Sequence, residues 1–318
     1  SQEVAMDLSL QPCDVIHFQH TSQYIPVIRS LNPKAKIVLT LHSELFPQHN
    51  RKIFEKRLRH VDYVTCVSNY ITEKTRRDFP QIADRCQTIY NGIESGEFVN
   101  SKKDYREARE REIKRIMYAG AVSPQKGIHI LLEALQIVVK SYPNVQLEVV
   151  GPQGTVPAQE CFPLDDKTLV DCLKPFYAKQ YLSELQQRLS PDIAGRVSFA
   201  GMIPRSQLID RFFQADIFVF PPIWDEGFGI PPVESMAAGT PVVATRSGAI
   251  VETVQDGETG LLVEKNNAPA LATAILQLLE NDDLRESMGR AGRQRAFDYF
   301  TWERAADKTL QLYKTVCN

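Results

Sequence analysis

Glu226 and Glu234 stand eight positions apart in the stretch DEGFGIPPVES, residues 225 to 235. Between them lie two glycines, two prolines and three apolar residues, and no other polar side chain. A carboxylate accepts hydrogen bonds from sugar hydroxyls, and the free N–H groups of a helix start attract an anion. Pro231 suits a first helical turn, where its missing N–H costs nothing. The amides of Gly227, Phe228 and Gly229 would then face whatever lies over that helix start. Two hydroxyl-binding carboxylates flanking a phosphate site suit a nucleoside diphosphate sugar. The other reading is a helix cap beside a solvated glutamate.

Two further segments have the same make-up. In YAGAVSPQKG (118–127), Gly120 permits close backbone approach and Lys126–Gly127 opens a helix, a good place for a phosphate. The GxxxxGK[ST] spacing of a P-loop is absent. In ATRSGAIVETVQDGETGLLV (244–263), Gly248, Glu252 and the turn Asp256–Gly257 read as another loop and helix, with Glu252 a helix-start carboxylate. The six cysteines (Cys13, Cys66, Cys86, Cys161, Cys172, Cys317) are scattered without a CxxC pair, and no Asp-x-Asp element or other metal cluster is present. The expectation is reduced thiols, no metal and no cofactor beyond the donor substrate.

Loops of this kind need strands to present them. CDVIHF (13–18), AKIVLTL (35–41) and VDYVTCVS (61–68) read as buried strands separated by helical patterns. After the charged run SKKDYREAREREIKR (101–115), read as a solvated linker or helix with the domain boundary within 98–113, the alternation becomes regular. Strands are expected at 115–120, 145–151, 197–201, 216–221, 241–245 and 260–264. Helices are expected at 127–140, 178–190, 205–214, 232–238, 267–280 and 283–299, with a final one at 300–316. That pattern predicts a doubly wound parallel α/β sheet, whose ligands lie beyond the carboxyl ends of the strands where strand order reverses. The segment 152–177 reads as an inserted loop over the rim. The first section has only three or four strand–helix units, part of such a sheet, and the expectation is roughly another half-domain upstream in the natural protein. RKIFEKRLRH (51–60) is basic and amphipathic: a solvated helix face is expected, with peripheral contact to an anionic membrane carrying a lipid acceptor as the other reading.

Composition excludes several classes. The chain of 318 residues is 43% apolar and 24% charged, with net charge −2. Nothing asks for nucleic acid, and no window approaches the ~18 uninterrupted apolar residues of a membrane-spanning helix. A cytoplasmic protein is expected, at the inner membrane face if the basic helix docks there.

EGFGIPPVE, followed by AAGTPVVAT, an SGxxxE segment and DGETGLLVE, resembles the donor-binding half of retaining glycosyltransferases of family 4, whose signature is E-x7-E. VTCVSNYI (64–71), NGIESGEF (91–98) and AGAVSPQKG fall in the order that family shows. The resemblance implies the GT-B fold: two Rossmann-like doubly wound α/β domains facing a cleft. The N-terminal acceptor-side domain would span 1–105 and be partial, the nucleotide-sugar domain 106–300, and the helix 301–318 would cross back. It implies Glu226 on the sugar hydroxyls, the amides from Gly227 to Gly229 on the phosphates, Glu234 on the ribose and Lys126 on the diphosphate. It also implies a histidine at a strand end near the reacting carbon, for which His17 and His20 are both candidates and His20, following the strand, is preferred; His42 is a further acceptor-side candidate. Where the family usually carries Arg after the glycine of the phosphate loop, this chain has Ala121, and Arg246 is a candidate replacement cation. The expected function is metal-independent, retaining transfer of a hexose-type sugar from a UDP- or GDP-linked donor to a carbohydrate or lipid-linked acceptor. The rival readings are a non-catalytic nucleotide-sugar-binding homologue and a nucleotide-sugar epimerase.

Overall fold

A computed structural model describes residues 13–43, 51–99, 103–152, 167–177 and 180–318. The chain divides into two compact units, Ser1–Gly92 with Trp302–Asn318, and Ile93–Thr301.

The first unit is a four-stranded parallel sheet in the order β1 (Val15–Gln19), β2 (Lys36–Leu41), β3 (Tyr63–Cys66), β4 (Cys86–Thr88). Successive side chains of a strand point to opposite faces, so a strand buried along both faces must be covered twice. In β2, Ile37, Leu39 and Leu41 enter one core with Ile25, Ile28, Phe54, Leu58 and Ile71, while Val38 enters another with Ile89, Ala305 and Leu312. The helix Trp302–Cys317 therefore supplies the second cover. The basic helix Arg51–Leu58 buries Phe54 and Leu58. Elements of this unit beyond the sequence expectation include β4, the 3-10 helix Pro80–Arg85, and the helix Asn69–Asp78, whose N-cap Ser68 accepts a hydrogen bond from Ile71 N.

The second unit holds a six-stranded parallel sheet. Its strands are β5 (Lys114–Ala119), β6 (Val145–Val150), β7 (Val197–Gly201), β8 (Ile217–Phe220), β9 (Val242–Thr245) and β10 (Gly260–Val263), in the order β10-β9-β8-β5-β6-β7. All pairings are parallel. The chain runs outward from β5 to β7, then returns to β8 beside β5 and runs outward the other way. Strand order thus reverses between β5 and β8. Such a reversal, beyond the carboxyl ends of the strands, is where ligands bind in doubly wound sheets. Helices Ile128–Ser141 and Ala268–Leu279 pack on one another, and Ile230–Ala237 packs on Arg205–Gln214 and Asp282–Tyr299.

Two expectations are corrected. The charged run is not simply solvated: Lys103 and Lys114 are buried. The Lys103 ammonium donates to the carbonyls of Phe213 and Ala215 and to Thr240 Oγ1, and burial pushes its pKa down to about 7. Arg111 reaches both oxygens of the fully buried Asp216 at 3.0 Å. These cations tie the run to the end of helix Arg205–Gln214 and to the start of β8, because carbonyls and a carboxylate left there in an apolar layer need donors. The second correction concerns the inserted loop: its part 167–177 is a helix, while 153–166 lie outside the described residues.

Gly127 lets the loops after β5 and β8 come together. Its φ is 70°, and a Cβ there would sit 1.9 Å from the Pro221 carbonyl oxygen, so the loops after β5 and β8 meet only because it has no side chain. Gly127→Ala should lower stability by about 2 kcal/mol or more. Urea denaturation of the purified variant checks this, and an unchanged midpoint contradicts the close approach.

Candidate functional site

Three loops leave the carboxyl ends of β5, β8 and β9, and each contributes to one cluster. The β5 loop ends in the 3-10 turn Pro124–Lys126 and the left-handed Gly127, which caps helix Ile128–Ser141. The β8 loop runs from Pro221 to the left-handed Gly229, which opens helix Ile230–Ala237 with Pro231 in its first turn. From the β9 loop, Ser247 Oγ accepts from Glu226 N at 3.3 Å, and Ala249 N donates to the Glu226 carbonyl at 2.8 Å. A Cβ on Gly248 would lie 2.3 Å from that same carbonyl oxygen, so the third loop clamps the second by direct backbone contact.

Within this clamp Lys126 Nζ and Glu226 Oε1 form an ion pair at 2.5 Å. Trp224 Nε1 donates to the same oxygen at 2.6 Å. The ammonium lies 5.5 Å from the Phe220 ring centroid and 5.2 Å from that of Trp224, where ring quadrupoles favour a cation. Glu226 is 7% exposed, so its charge is compensated by the protein and not by water. Tyr118, stacked on Phe220, is held neutral: burial first, and then the Glu226 charge, push its hydroxyl well above the usual tyrosine range.

Glu234 is 6% exposed, which removes the reading of a solvated glutamate. Its Oε1 pairs with Arg205 Nη1 at 2.5 Å, and Arg205 also grips Glu97 through Nε (3.0 Å) and Nη2 (2.6 Å). Burial raises the Glu234 pKa, and Arg205 opposes that shift. Phe228 is buried against Phe300, with ring centroids 5.7 Å apart, and anchors the loop whose backbone starts the helix. Gly120, with φ 145°, follows β5. Sequence spacing gives no sign of Arg205 and Glu97, since Arg205 lies 108 positions from Glu97 and 29 from Glu234. Trp224 immediately precedes the stretch DEGFGIPPVES, and its role depends on a side-chain direction that spacing does not show.

In the first unit His17 and His20 have different surroundings. His17 Nδ1 meets Tyr313 Oη and its Nε2 meets Thr40 Oγ1, both at 2.6 Å, and burial lowers its pKa. Both ring nitrogens are thus taken inside the sheet–helix layer. His20 is exposed just past β1, with φ 60°, an uncommon conformation for a residue other than glycine. His42 N donates to His20 Nδ1 at 3.3 Å, and the two rings meet edge to face at 6.2 Å. Arg246 is engaged elsewhere, by Asp256 at 2.5 Å and Glu264 at 3.5 Å. Among the described residues no group of three or more His, Cys, Asp or Glu is arranged to hold a metal ion, and no helix is long and apolar enough to cross a membrane.

Comparison with known proteins gives the family. The pattern of glycosyl transferases group 1 matches residues 101–295, and that of glycosyltransferase family 4 matches residues 3–97. YtcC of Bacillus subtilis is 26% identical over 99% of this chain and 76% of its own length. The phosphatidyl-myo-inositol mannosyltransferase of Mycobacterium tuberculosis is 27% identical over 95% of this chain and 74% of its own. Among solved structures, HepE of Anabaena, in complex with UDP and glucose, superposes with a TM-score of 0.76 at 21% identity, covering 99% of this chain and 81% of that one. The chain belongs to the group 1 glycosyl transferases; it is a glycosyltransferase of the GT-B fold.

The Lys126–Glu226 pair is shielded enough for its loss to show in stability. Lys126→Met leaves a buried carboxylate with one N–H donor and should destabilise the unliganded protein by about 3 kcal/mol, with part of that recovered in Lys126→Met/Glu226→Gln. Urea titration of the three proteins checks this. Equal midpoints for the single and double variants would contradict a buried, mutually compensating pair.

Proposed function

We propose that this chain is a retaining glycosyltransferase that moves a hexose-type sugar from a UDP- or GDP-linked donor to an acceptor hydroxyl without a metal ion. The observation that carries the reading is the pairing of Lys126 with Glu226 where the strand order reverses, with Glu234 buried one helical turn further on. In this reading Glu226 binds the hydroxyls of the transferred sugar, and Lys126 turns to the diphosphate as the donor enters. The amides of Gly227, Phe228 and Gly229 cradle the phosphates, Gly120 lets the donor approach the β5 loop, and Glu234 holds the ribose. His20 is the residue of the first unit to which we assign contact with the sugar undergoing transfer. Donor binding is assigned to residues 106–300, with Glu97 of the same compact unit beside them, and the acceptor side to the rest of 1–105. The UDP complex of the Anabaena neighbour favours a uridine donor, and the mannosyltransferase relative, named for phosphatidyl-myo-inositol, favours a carbohydrate or lipid-linked acceptor.

The reaction balances without a protein nucleophile. The bond between the anomeric carbon and the phosphate oxygen breaks, and charge grows on the diphosphate, where Lys126 and the helix-start amides meet it. The acceptor oxygen bonds to the same face of the anomeric carbon, and its proton passes to the departing phosphate oxygen. Orientation and preorganised charge lower the barrier. The 118–127 loop carries one cation, since Ala121 stands where the family usually has arginine, so leaving-group stabilisation falls largely on Lys126.

Glu226→Ala should lower kcat by about 10²–10³, with donor affinity changed far less. Release of nucleoside diphosphate from UDP-glucose, UDP-N-acetylglucosamine and GDP-mannose, with simple alkyl glycosides as acceptors, gives the rate. Proton NMR of the product gives its anomeric configuration. Activity should persist in EDTA and the configuration should be retained. Loss in EDTA with recovery in Mn²⁺, or an inverted product, would overturn those parts of the reading.

A further inference from the structure

Glu97, Arg205 and Glu234 come from three separate elements and meet in one line of charge. Arg205 is the first residue of helix Arg205–Gln214, Glu97 lies on the short helix Gly96–Val99, and Glu234 is buried in helix Ile230–Ala237. The Arg205 fork is divided. Nε and Nη2 lie on the Glu97 carboxylate, which fixes the guanidinium plane, and only Nη1 is given to Glu234. On Glu234 the division is matched: Oε1 takes the arginine, while Oε2 accepts no hydrogen bond from a described residue.

We propose that Glu97 and Arg205 are positioning residues of the nucleoside subsite, a relay that holds Glu234 ionised with one oxygen pinned and the other presented to the ribose hydroxyls. The inference rests on the reading of Glu234 as the ribose-binding carboxylate and adds how that carboxylate is kept fit for the task. Burial alone drives a carboxyl toward its neutral form. A neutral carboxyl gives up acceptor capacity to its own O–H and binds a pair of hydroxyls less well. The planar arginine supplies both the charge that opposes protonation and the direction of the carboxylate, which a lysine would supply only in part. Glu97 adds direction and not charge, since its own carboxylate repels that of Glu234. The other elements packed on helix Ile230–Ala237 bring little that competes. Strands β8 and β9 present IFVF and VVAT, and Arg293 of helix Asp282–Tyr299 reaches that helix at its far end, on the Ala237 carbonyl.

The sign of the pH effect follows. Burial raises the Glu234 pKa and Arg205 lowers it. Without Arg205 the carboxyl protonates at higher pH, and nucleotide affinity is lost earlier as pH falls.

Calorimetric titration of the full chain with UDP, or with GDP if the wild type prefers it, from about pH 8 to about pH 6 tests the relay. Glu234→Gln carries the same nucleotide phosphate titration without the carboxyl and serves as the baseline. Arg205→Met should bind about tenfold more weakly at the alkaline end, the loss of a charged hydrogen bond, and should fall away faster than the baseline as pH drops. Arg205→Lys should restore the wild-type pH profile but not the full affinity, and Glu97→Gln should weaken binding without moving the profile toward alkaline pH. An Arg205→Met profile parallel to the baseline would overturn the relay, as would full wild-type affinity in Arg205→Lys, which remains informative if the methionine variant folds poorly. If Glu234→Gln itself binds as tightly as wild type, the ribose reading of Glu234 falls. If it binds weakly while Arg205→Met does not, only the relay falls.

Discussion

A half-buried lysine and a buried glutamate, side by side where the strand order of the second unit reverses, set the terms for everything around them. Two charges taken out of water are stable only if each compensates the other and the remaining hydrogen-bond capacity is met. Lys126 and Glu226 satisfy this with one another, the Trp224 N–H and two aromatic rings. The arrangement is preorganised in charge but not saturated: a donor bringing hydroxyls and phosphates offers each group a second partner. In the proposed function, binding is an exchange of partners within a fixed frame, and the frame need not be built as the ligand arrives.

The frame itself is backbone. Gly127 and Gly248 remove the Cβ atoms that would hold the β5 and β9 loops away from the β8 loop. The parallel sheet places three loop starts along one edge, and the helix starts that follow give N–H groups facing outward. Glu234 repeats the logic one turn along. It too is buried, paired with a cation on one oxygen, and that cation is braced by a further carboxylate. The two glutamates of the E-x7-E spacing are thus alike in having a resident cation and differ in surroundings: aromatic rings around Lys126, a second glutamate behind Arg205.

Much of the second unit is legible in the sequence. IFVF is apolar at every position and VVAT at all but its last, as strands covered on both faces must nearly be, and Gly229 with Pro231 marks a helix start. The glutamates and Lys126 could be picked out because loop chemistry is local. What could not be read depends on partners far along the chain. Lys103 looks solvated because its acceptors, the carbonyls around Phe213 and Ala215, lie more than a hundred positions away. His17 and His20 could not be separated by strand alternation, because what engages His17 is Tyr313 of the last helix. Glu97 and Arg205 carry no motif at all; their role exists only once three elements converge. Long-range charge pairing is where pattern reading ends and geometry begins.

The central claim is that the two glutamates flank a nucleoside diphosphate site. Its most direct test is a calorimetric comparison of wild type and Glu234→Ala titrated with UDP, GDP and ADP. Saturable binding of one nucleotide by the wild type, weakened at least about tenfold in the variant, is the predicted result. Binding of none of the three, or equal affinity in both proteins, would contradict it.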